Sequence, residues 1–237
     1  MFQIALIACV ALLRRSTLLG VAFLVASLLT GMGGDDGTPS AVVPLDLPAG
    51  YGVADRDEDD SETIVFYGQE YEGEGFFWCL DASGSMAVGG KMEVLKGEVT
   101  AAVSSLSRSA EFAIVAFNQN HTEWSAQPRR ATPAAKASAI TWVQALTPNS
   151  WTCLAPAGVR TLALSQLCRK RGKAVLVVGD GQPLCEGVDT SALCLTAFQT
   201  ANWQRTPVHT LFIGDGEGAA FMQQLAQENG GRFVQVL

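Results

Sequence analysis

From about Thr63 onward, short apolar runs alternate with longer segments in which apolar residues recur at helical spacing. Valine-rich or aromatic runs bounded by glycine predict strands, and the segments between them predict helices. The predicted strands are 76–80, 111–117, 174–179, 208–213 and 232–236, with a short edge strand at 121–125 and an extra strand or packed arm at 64–67; the predicted helices are 91–106, 133–146, 154–170, 191–205 and 218–229. This alternation is typical of βαβ units and predicts an α/β fold with a doubly wound, mostly parallel sheet flanked by helices on both faces.

The first 32 residues have a different pattern, which predicts a signal peptide or a transmembrane anchor. Two apolar stretches, 1–13 and 16–29, flank the basic pair Arg14-Arg15. The second stretch approaches the roughly 17 residues that a bilayer span requires. With the arginines on the cytoplasmic side, we expect a single-pass protein of the cell membrane whose domain lies outside the cytoplasm, or a secreted or periplasmic protein if the segment is cleaved. A buried helix of a soluble protein is the alternative.

Residues 33–62 are rich in Gly, Pro and Asp with few large apolar residues, which predicts a flexible, disordered acidic linker. The formal net charge of the chain is −7, and nine of its 23 acidic residues lie between Asp35 and Glu62. Residues 63–237, the expected globular domain, carry 14 acidic and 13 basic residues. A nearly neutral domain argues against nucleic acid as a partner, because such binding requires a basic patch.

Oxygen-bearing side chains follow the first strand of this domain. Asp81, Ser83 and Ser85 stand at alternating positions in the sequence DASGSM, directly after the apolar run 76–80. One carboxylate and two hydroxyls form an oxygen-only donor set of the kind that hard cations such as Mg²⁺ prefer. The alternative is an ordinary polar turn whose serines cap the following helix.

Two later segments add donors of the same kind. Thr152 lies in the loop before the predicted helix 154–170, and Asp180 follows the predicted strand 174–179. The carboxyl ends of parallel strands meet at one edge of an open α/β sheet, and ligands bind there. If these strands are parallel neighbours, five oxygen side chains converge as one metal site. The five residues are Asp81, Ser83, Ser85, Thr152 and Asp180.

With these residues the chain resembles the von Willebrand factor type A (VWA) domains that carry a metal-ion-dependent adhesion site (MIDAS). The family's D-x-S-x-S motif is matched by Asp81, Ser83 and Ser85, in the D-x-S-G-S-M form common in bacterial members. Its loop threonine is matched by Thr152 and its later aspartate by Asp180. The resemblance runs from about residue 75 to residue 237 and implies the Rossmann-like VWA fold for the domain.

The resemblance also implies a chemistry. In the family, hydroxyl groups bind Mg²⁺, the aspartates bind directly or through water, and a partner's carboxylate completes the octahedron. Mostly neutral direct ligands leave the ion electrophilic enough to attract an incoming Glu or Asp. The resemblance thus implies a non-enzymatic, cation-dependent protein-binding module of adhesion type, with Mg²⁺ as its cofactor and Mn²⁺ or Ca²⁺ as alternatives. Gly179 stands where the family usually has Thr, which removes a hydroxyl that could brace the loop but removes no ligand.

A Mg²⁺-dependent phosphohydrolase is the alternative function. Asp81 would be its nucleophile, because aspartyl-phosphate chemistry also needs Mg²⁺. Ser83 then occupies the position where a second acidic residue would act as general acid, which weakens this interpretation. A serine hydrolase is disfavoured, because neither Ser83 nor Ser85 is flanked as in G-x-S-x-G.

The chain has six cysteines, and an exported domain can form disulfide bonds. Cys9 lies in the N-terminal segment. We expect Cys185–Cys194 as the first candidate pair, since these residues enclose a short loop beside the proposed metal site, and Cys153–Cys185 as its competitor. Cys79 is expected to be a small buried apolar residue. The remaining cysteine is Cys168. Sulfur ligation of a metal is disfavoured, because the chain has no C-x-x-C pair and only two histidines.

Overall fold

The computed structural model describes residues 61–236. Its strands are β1 (Glu62–Phe66), β2 (Gln69–Gly73), β3 (Gly75–Asp81), β4 (Glu111–Phe117), β5 (His121–Glu123), β6 (Arg129–Arg130), β7 (Lys173–Gly179), β8 (Leu184–Cys185), β9 (Val188–Asp189), β10 (Val208–Ile213) and β11 (Phe233–Val236). Its α-helices are α1 (Lys91–Ser105), α2 (Pro133–Gln144), α3 (Leu154–Leu167), α4 (Ser191–Ala201) and α5 (Ala219–Glu228). A 3₁₀ segment, Gly84–Gly90, joins β3 to α1.

The central sheet has the strand order β11-β10-β7-β3-β4-β5, and β6 also pairs with β4. The strands from β11 to β4 in this order are parallel, whereas the short β5 and β6 run antiparallel to β4. The chain order reverses around β3, since β4 lies on one side of it and β7 on the other. Every residue of β3 is buried because both faces of the strand are covered.

Alternate residues of β3 belong to two different apolar cores, one on each face of the sheet. Phe76, Trp78 and Leu80 belong to a core that includes residues of α1, α2 and the β1–β2 hairpin. Phe77 and Cys79 belong to a second core with residues of α3, α4 and α5. The result is a three-layer α/β/α domain, which confirms the predicted mostly parallel sheet with helices on both faces.

The bounds of the predicted elements agree with the structure to within three residues, with one exception. Helix α4 ends at Ala201 rather than at Arg205. The side chain of Asn202 explains this end, because its Oδ1 accepts from the N–H of Thr206 and its Nδ2 donates to the carbonyl of Thr206. These two hydrogen bonds replace the helical pattern with a closed turn.

Near the start of the described residues, the expected strand or arm at 64–67 is β1 of a two-stranded antiparallel hairpin. Its partner strand, β2, was not predicted. Within residues 61–236, every helix is too short or too polar to span a bilayer. The expected signal or anchor at 1–32, and the linker as far as residue 60, lie outside the described residues.

Candidate functional site

The predicted site residues lie at the carboxyl edge of the sheet, beside the strand around which the order reverses. Asp81 is the last residue of β3, and Asp180 directly follows the neighbouring strand β7. In a doubly wound sheet, such a reversal opens a crevice in which ligands bind. Both aspartates are buried, with exposed fractions of 1% for Asp81 and 8% for Asp180.

Asp81 has one carboxylate oxygen in a hydrogen bond and one without a partner. Oδ1 accepts from the backbone N–H of Ser83 at 2.7 Å. Oδ2 is buried, and within residues 61–236 no donor lies in hydrogen-bond contact with it. Burial raises the pKa of Asp81 to about 7; Ser83 and the nearby backbone N–H of Asp180 oppose this rise, and the charge of Asp180 adds to it. A buried carboxylate oxygen without a hydrogen bond, such as Asp81 Oδ2, destabilises the folded state unless a cation or a donor compensates for it.

Hydroxyl groups connect the Asp81 turn to Asp180. Ser83 Oγ lies 3.1 Å from Ser85 Oγ, and Ser85 Oγ donates to Asp180 Oδ1 at 2.6 Å. The second oxygen of Asp180, Oδ2, accepts from Lys91 Nζ at 2.7 Å. The structure thus brings four of the five predicted residues into one contiguous group.

The loop that carries Thr152 is held against this group by its backbone. The N–H of Gly84 donates to the carbonyl of Ser150 at 3.0 Å, and the N–H of Asn149 donates to the carbonyl of Ala82 at 2.9 Å. Both bonds join the loop after α2 to the turn after β3. They place Thr152 at the same edge of the sheet as the two aspartates.

A disulfide bond fixes the residue after Thr152. Cys153 is bonded to Cys185, so the expected first pair, Cys185–Cys194, is wrong and the competing pair is correct. The hairpin of β8 and β9 turns Cys185 back toward the loop before α3, whereas Cys194 lies in α4 and is fully buried in the core. Beside the disulfide, the N–H of Thr152 donates to the carbonyl of Leu184 at 2.9 Å. The Thr152 loop is therefore attached to the segments after both β3 and β7.

Gly179, the position that departs from the family pattern, faces Asp81. A Cβ atom at Gly179 would lie 3.0 Å from Asp81 Oδ2 and 3.4 Å from Asp81 Cβ. A side chain there would press against the carboxylate, which would have to shift by a few tenths of an ångström. The departure therefore removes a hydroxyl and also leaves Asp81 Oδ2 free of crowding.

Sequence reasoning missed Lys91, which is the first residue of α1 and pairs with Asp180. Gly89 and Gly90 precede it with φ angles of 68° and 74°, a left-handed conformation that favours glycine. A cation at a helix N-terminus is unfavourable because the N-terminal end of the helix dipole is positive. A lysine at this position after two glycines is the signal that could have indicated an acidic partner.

The donor set fits a hard divalent cation. Residues 61–236 contain no group of three or more His, Cys, Asp or Glu side chains of the kind that binds a metal through those residues alone. The group described above instead combines two carboxylates with serine hydroxyls, and oxygen donors of this kind suit Mg²⁺, Ca²⁺ and Mn²⁺. The unpartnered Asp81 Oδ2 supplies the oxygen that such an ion would contact.

The fold and the site define a class of protein: three-layer α/β domains with a ligand crevice at the carboxyl edge of the sheet and oxygen donors on the loops around it. The sequence profile of the von Willebrand factor type A domain matches residues 78–234. The chain belongs to the von Willebrand factor type A domain family. No curated protein matches the chain at a significant level.

Solved structures agree with this fold. A von Willebrand factor type A protein from Catenulispora acidiphila superposes with a TM-score of 0.61 at 19% identity, over 75% of this chain and 45% of the other. The pilus adhesin SpaC from Lactobacillus rhamnosus GG, in an open conformation, gives 0.57 at 13% identity, over 68% and 28%. Manganese-loaded TRAP protein from Plasmodium vivax gives 0.50 at 18%, over 71% and 67%. These identities show the fold alone, and this chain spans less than half the length of the first two proteins.

Proposed function

We propose that this chain is a divalent-cation-dependent protein-binding module of adhesion type rather than an enzyme. Membership of the VWA family supports the binding class, since these domains are generally non-catalytic binding modules. Structures of the same fold include a pilus adhesin and a manganese-loaded protein. In the proposed site Mg²⁺ is the ion, with Mn²⁺ or Ca²⁺ as alternatives. Its ligands are Asp81, Ser83, Ser85, Thr152 and Asp180.

The observation that carries this proposal is the buried oxygen Asp81 Oδ2, which lacks a donor and lies beside the hydrogen-bonded chain of Ser83, Ser85 and Asp180. The aspartates provide the negative charge that attracts a cation, and the hydroxyls provide neutral oxygen ligands. A bound ion would supply an electrophilic centre for a carboxylate of the partner protein. An acidic side chain is therefore the feature of the partner that this site would recognise.

Calorimetric titration of Mg²⁺ into the full-length chain tests the ligation. The variants are Asp81→Asn, which keeps the shape and removes the charge, and Glu70→Gln as a matched control. Glu70 is exposed on the β1–β2 hairpin, so its substitution removes one carboxylate outside the site. We expect Asp81→Asn to abolish saturable Mg²⁺ binding and the control to retain it. Equal affinities of wild type and Asp81→Asn would rule out the proposed ligands.

The partner's carboxylate is tested separately. We expect a pull-down with the full-length chain to capture its partner in Mg²⁺ and to release it in a chelator, and acetate to compete for binding. The phosphohydrolase alternative predicts instead that the chain hydrolyses a generic phosphate ester. Turnover that disappears in Asp81→Asn would overturn the binding-module proposal.

We also propose, from the sequence pattern alone, that residues 1–32 anchor the chain in the cell membrane with the domain outside the cytoplasm, or direct its export. Cell fractionation combined with protease treatment of intact cells tests this location. A chain recovered from the cytoplasm and protected from external protease would contradict it.

A further inference from the structure

We infer that Lys91 is an internal cation that competes with the metal ion for Asp180 and thereby sets the affinity of the site. The inference rests on the proposed function and concerns a residue that the D-x-S-x-S motif does not include. Lys91 Nζ lies 2.7 Å from Asp180 Oδ2, and Ser85 Oγ lies 2.6 Å from Asp180 Oδ1. The Asp180 side chain is fully buried, so the protein itself satisfies both of its oxygens.

The backbone places Lys91 at the N-terminus of α1, where the helix itself disfavours a cation. Lys91 begins α1, whose N-cap residue Gly90 has no side chain to cap the helix. The N–H of Lys91 donates to the carbonyl of Met86, which closes the segment directly after Ser85. Because the helix dipole disfavours a cation at this end, the ion pair with Asp180 is the interaction that stabilises the lysine here.

The Lys91 side chain can leave Asp180 without unfolding the loop. It is 28% exposed, whereas the side chain of Asp180 is fully buried, so the ammonium already borders the solvent. A lysine side chain is flexible and its ammonium group is strongly hydrated, which favours release into water. Ser85 can then turn its hydroxyl so that a lone pair, rather than its proton, faces the site.

Counting charges gives the consequence. With both aspartates ionised, two carboxylates and one ammonium group give the site a net charge of −1, and a divalent ion changes it to +1 if Lys91 remains nearby. Without the lysine charge, the same ion makes the site neutral. Lys91 therefore weakens ion binding and strengthens the attraction of the loaded site for a partner's carboxylate.

Calorimetric titration of the full-length chain with Mg²⁺ tests the competition. We expect Lys91→Gln to tighten the dissociation constant for Mg²⁺ about tenfold or more, because a like charge is removed from a partly buried site. Lys91→Arg keeps the charge and should stay close to wild type. Arg171→Gln removes an exposed positive charge at the opposite edge of the sheet, just before β7, and should have no effect. Acetate should bind Mg²⁺-loaded Lys91→Gln more weakly than loaded wild type.

Thermal unfolding gives a readout that does not need the metal. In EDTA, Lys91→Gln should have a lower Tm than wild type, since the buried Asp180 carboxylate loses its partner. Added Mg²⁺ should then raise the Tm of Lys91→Gln more than that of wild type.

The outcomes separate this inference from the proposed function. Equal or weaker Mg²⁺ binding by Lys91→Gln, with binding abolished in Asp81→Asn, would overturn the inference and leave the proposed function standing. A Tm in EDTA that does not change in Lys91→Gln would also overturn it, because the ion pair would not be formed. Absence of Mg²⁺ binding in the wild type and in all the variants would overturn the proposed function itself.

Discussion

The Cys153–Cys185 bond leads to a quantitative prediction for stability. It joins the loop before α3 to β8 across a sequence separation of 32 residues. Chain-entropy arguments for closing a loop of this length give about 4 kcal/mol at 25 °C. Replacement of both cysteines by alanine leaves no unpaired thiol from this bond. We therefore expect Cys153→Ala/Cys185→Ala to lower the free energy of unfolding by about 4 kcal/mol.

Urea unfolding of the full-length chain, followed by tryptophan fluorescence, measures this change. EDTA should be present throughout, because a bound ion would add its own stabilisation. With a slope of about 3 kcal/mol per molar urea, the midpoint should fall by roughly 1 M. Cys194→Ala is a control for loss of a buried cysteine, because its free thiol forms no disulfide bond in the structure. Dithiothreitol should lower the wild-type midpoint to that of the double variant. A wild-type midpoint that matches the double variant without reductant would refute the reasoning.

The same variant tests how Thr152 is positioned. Cys153 follows Thr152 directly, and the disulfide bond holds both beside Leu184, whose carbonyl accepts from the N–H of Thr152. Without the bond, the threonine loop should sample more conformations, and its hydroxyl should contribute less to a metal site. We expect a several-fold weaker Mg²⁺ affinity in the folded double variant. An unchanged affinity would show that Thr152 does not depend on the disulfide bond for its role.

Two further predictions concern the core and the pH dependence of stability. A Cβ at Gly158 would overlap the Phe198 ring, so Gly158→Ala should lower the free energy of unfolding in urea by about 1–3 kcal/mol. Gly97→Ala is the control, because a Cβ at Gly97 has no atom within 4 Å and should not destabilise the domain. Burial and the charge of Arg232 lower the pKa of His209 to about 4, so only the unfolded chain gains this proton as the pH falls below about 6.5. The free energy of unfolding of the wild type should therefore fall from pH 7 to pH 5. The His209→Phe variant should show a smaller decrease over the same range. Equal decreases in the two proteins would contradict this prediction.

The central fold could be predicted because its strands are continuous apolar runs. The strands 111–117 and 208–213 were predicted to the residue, since both are buried on two faces and end in polar or glycine residues. The strand β2 was missed for the opposite reason. Tyr71 is its one large apolar residue, between Glu70 and Glu72, because only one face of the hairpin contacts the core. A single apolar residue among charged ones gives no periodic pattern to detect.

The site could be predicted in part for a related reason. Asp81 and Asp180 directly follow the apolar runs 76–80 and 174–179, so the sequence marks them as residues at strand ends. Contacts between loops leave no comparable pattern in the sequence. Ser85 and Asp180 form a hydrogen bond although they are 95 residues apart, and either Cys153 or Cys194 was a reasonable partner for Cys185. The choice between those partners depends on the β8–β9 hairpin, whose two-residue strands are too short to be predicted.

Gly179 and Lys91 act on the two aspartates in opposite ways, and together they bear on the choice of ion. Gly179 leaves Asp81 Oδ2 uncrowded and without a donor, whereas Lys91 already neutralises Asp180. A monovalent cation has the same charge as the ammonium group, so displacing Lys91 would give it no Coulombic advantage. A divalent cation attracts both carboxylates twice as strongly at equal distance, and this difference can offset the loss of the ion pair. If Lys91 competes with the ion for Asp180, monovalent cations are disfavoured by their charge alone. The size and coordination geometry of the ion then discriminate only among divalent cations.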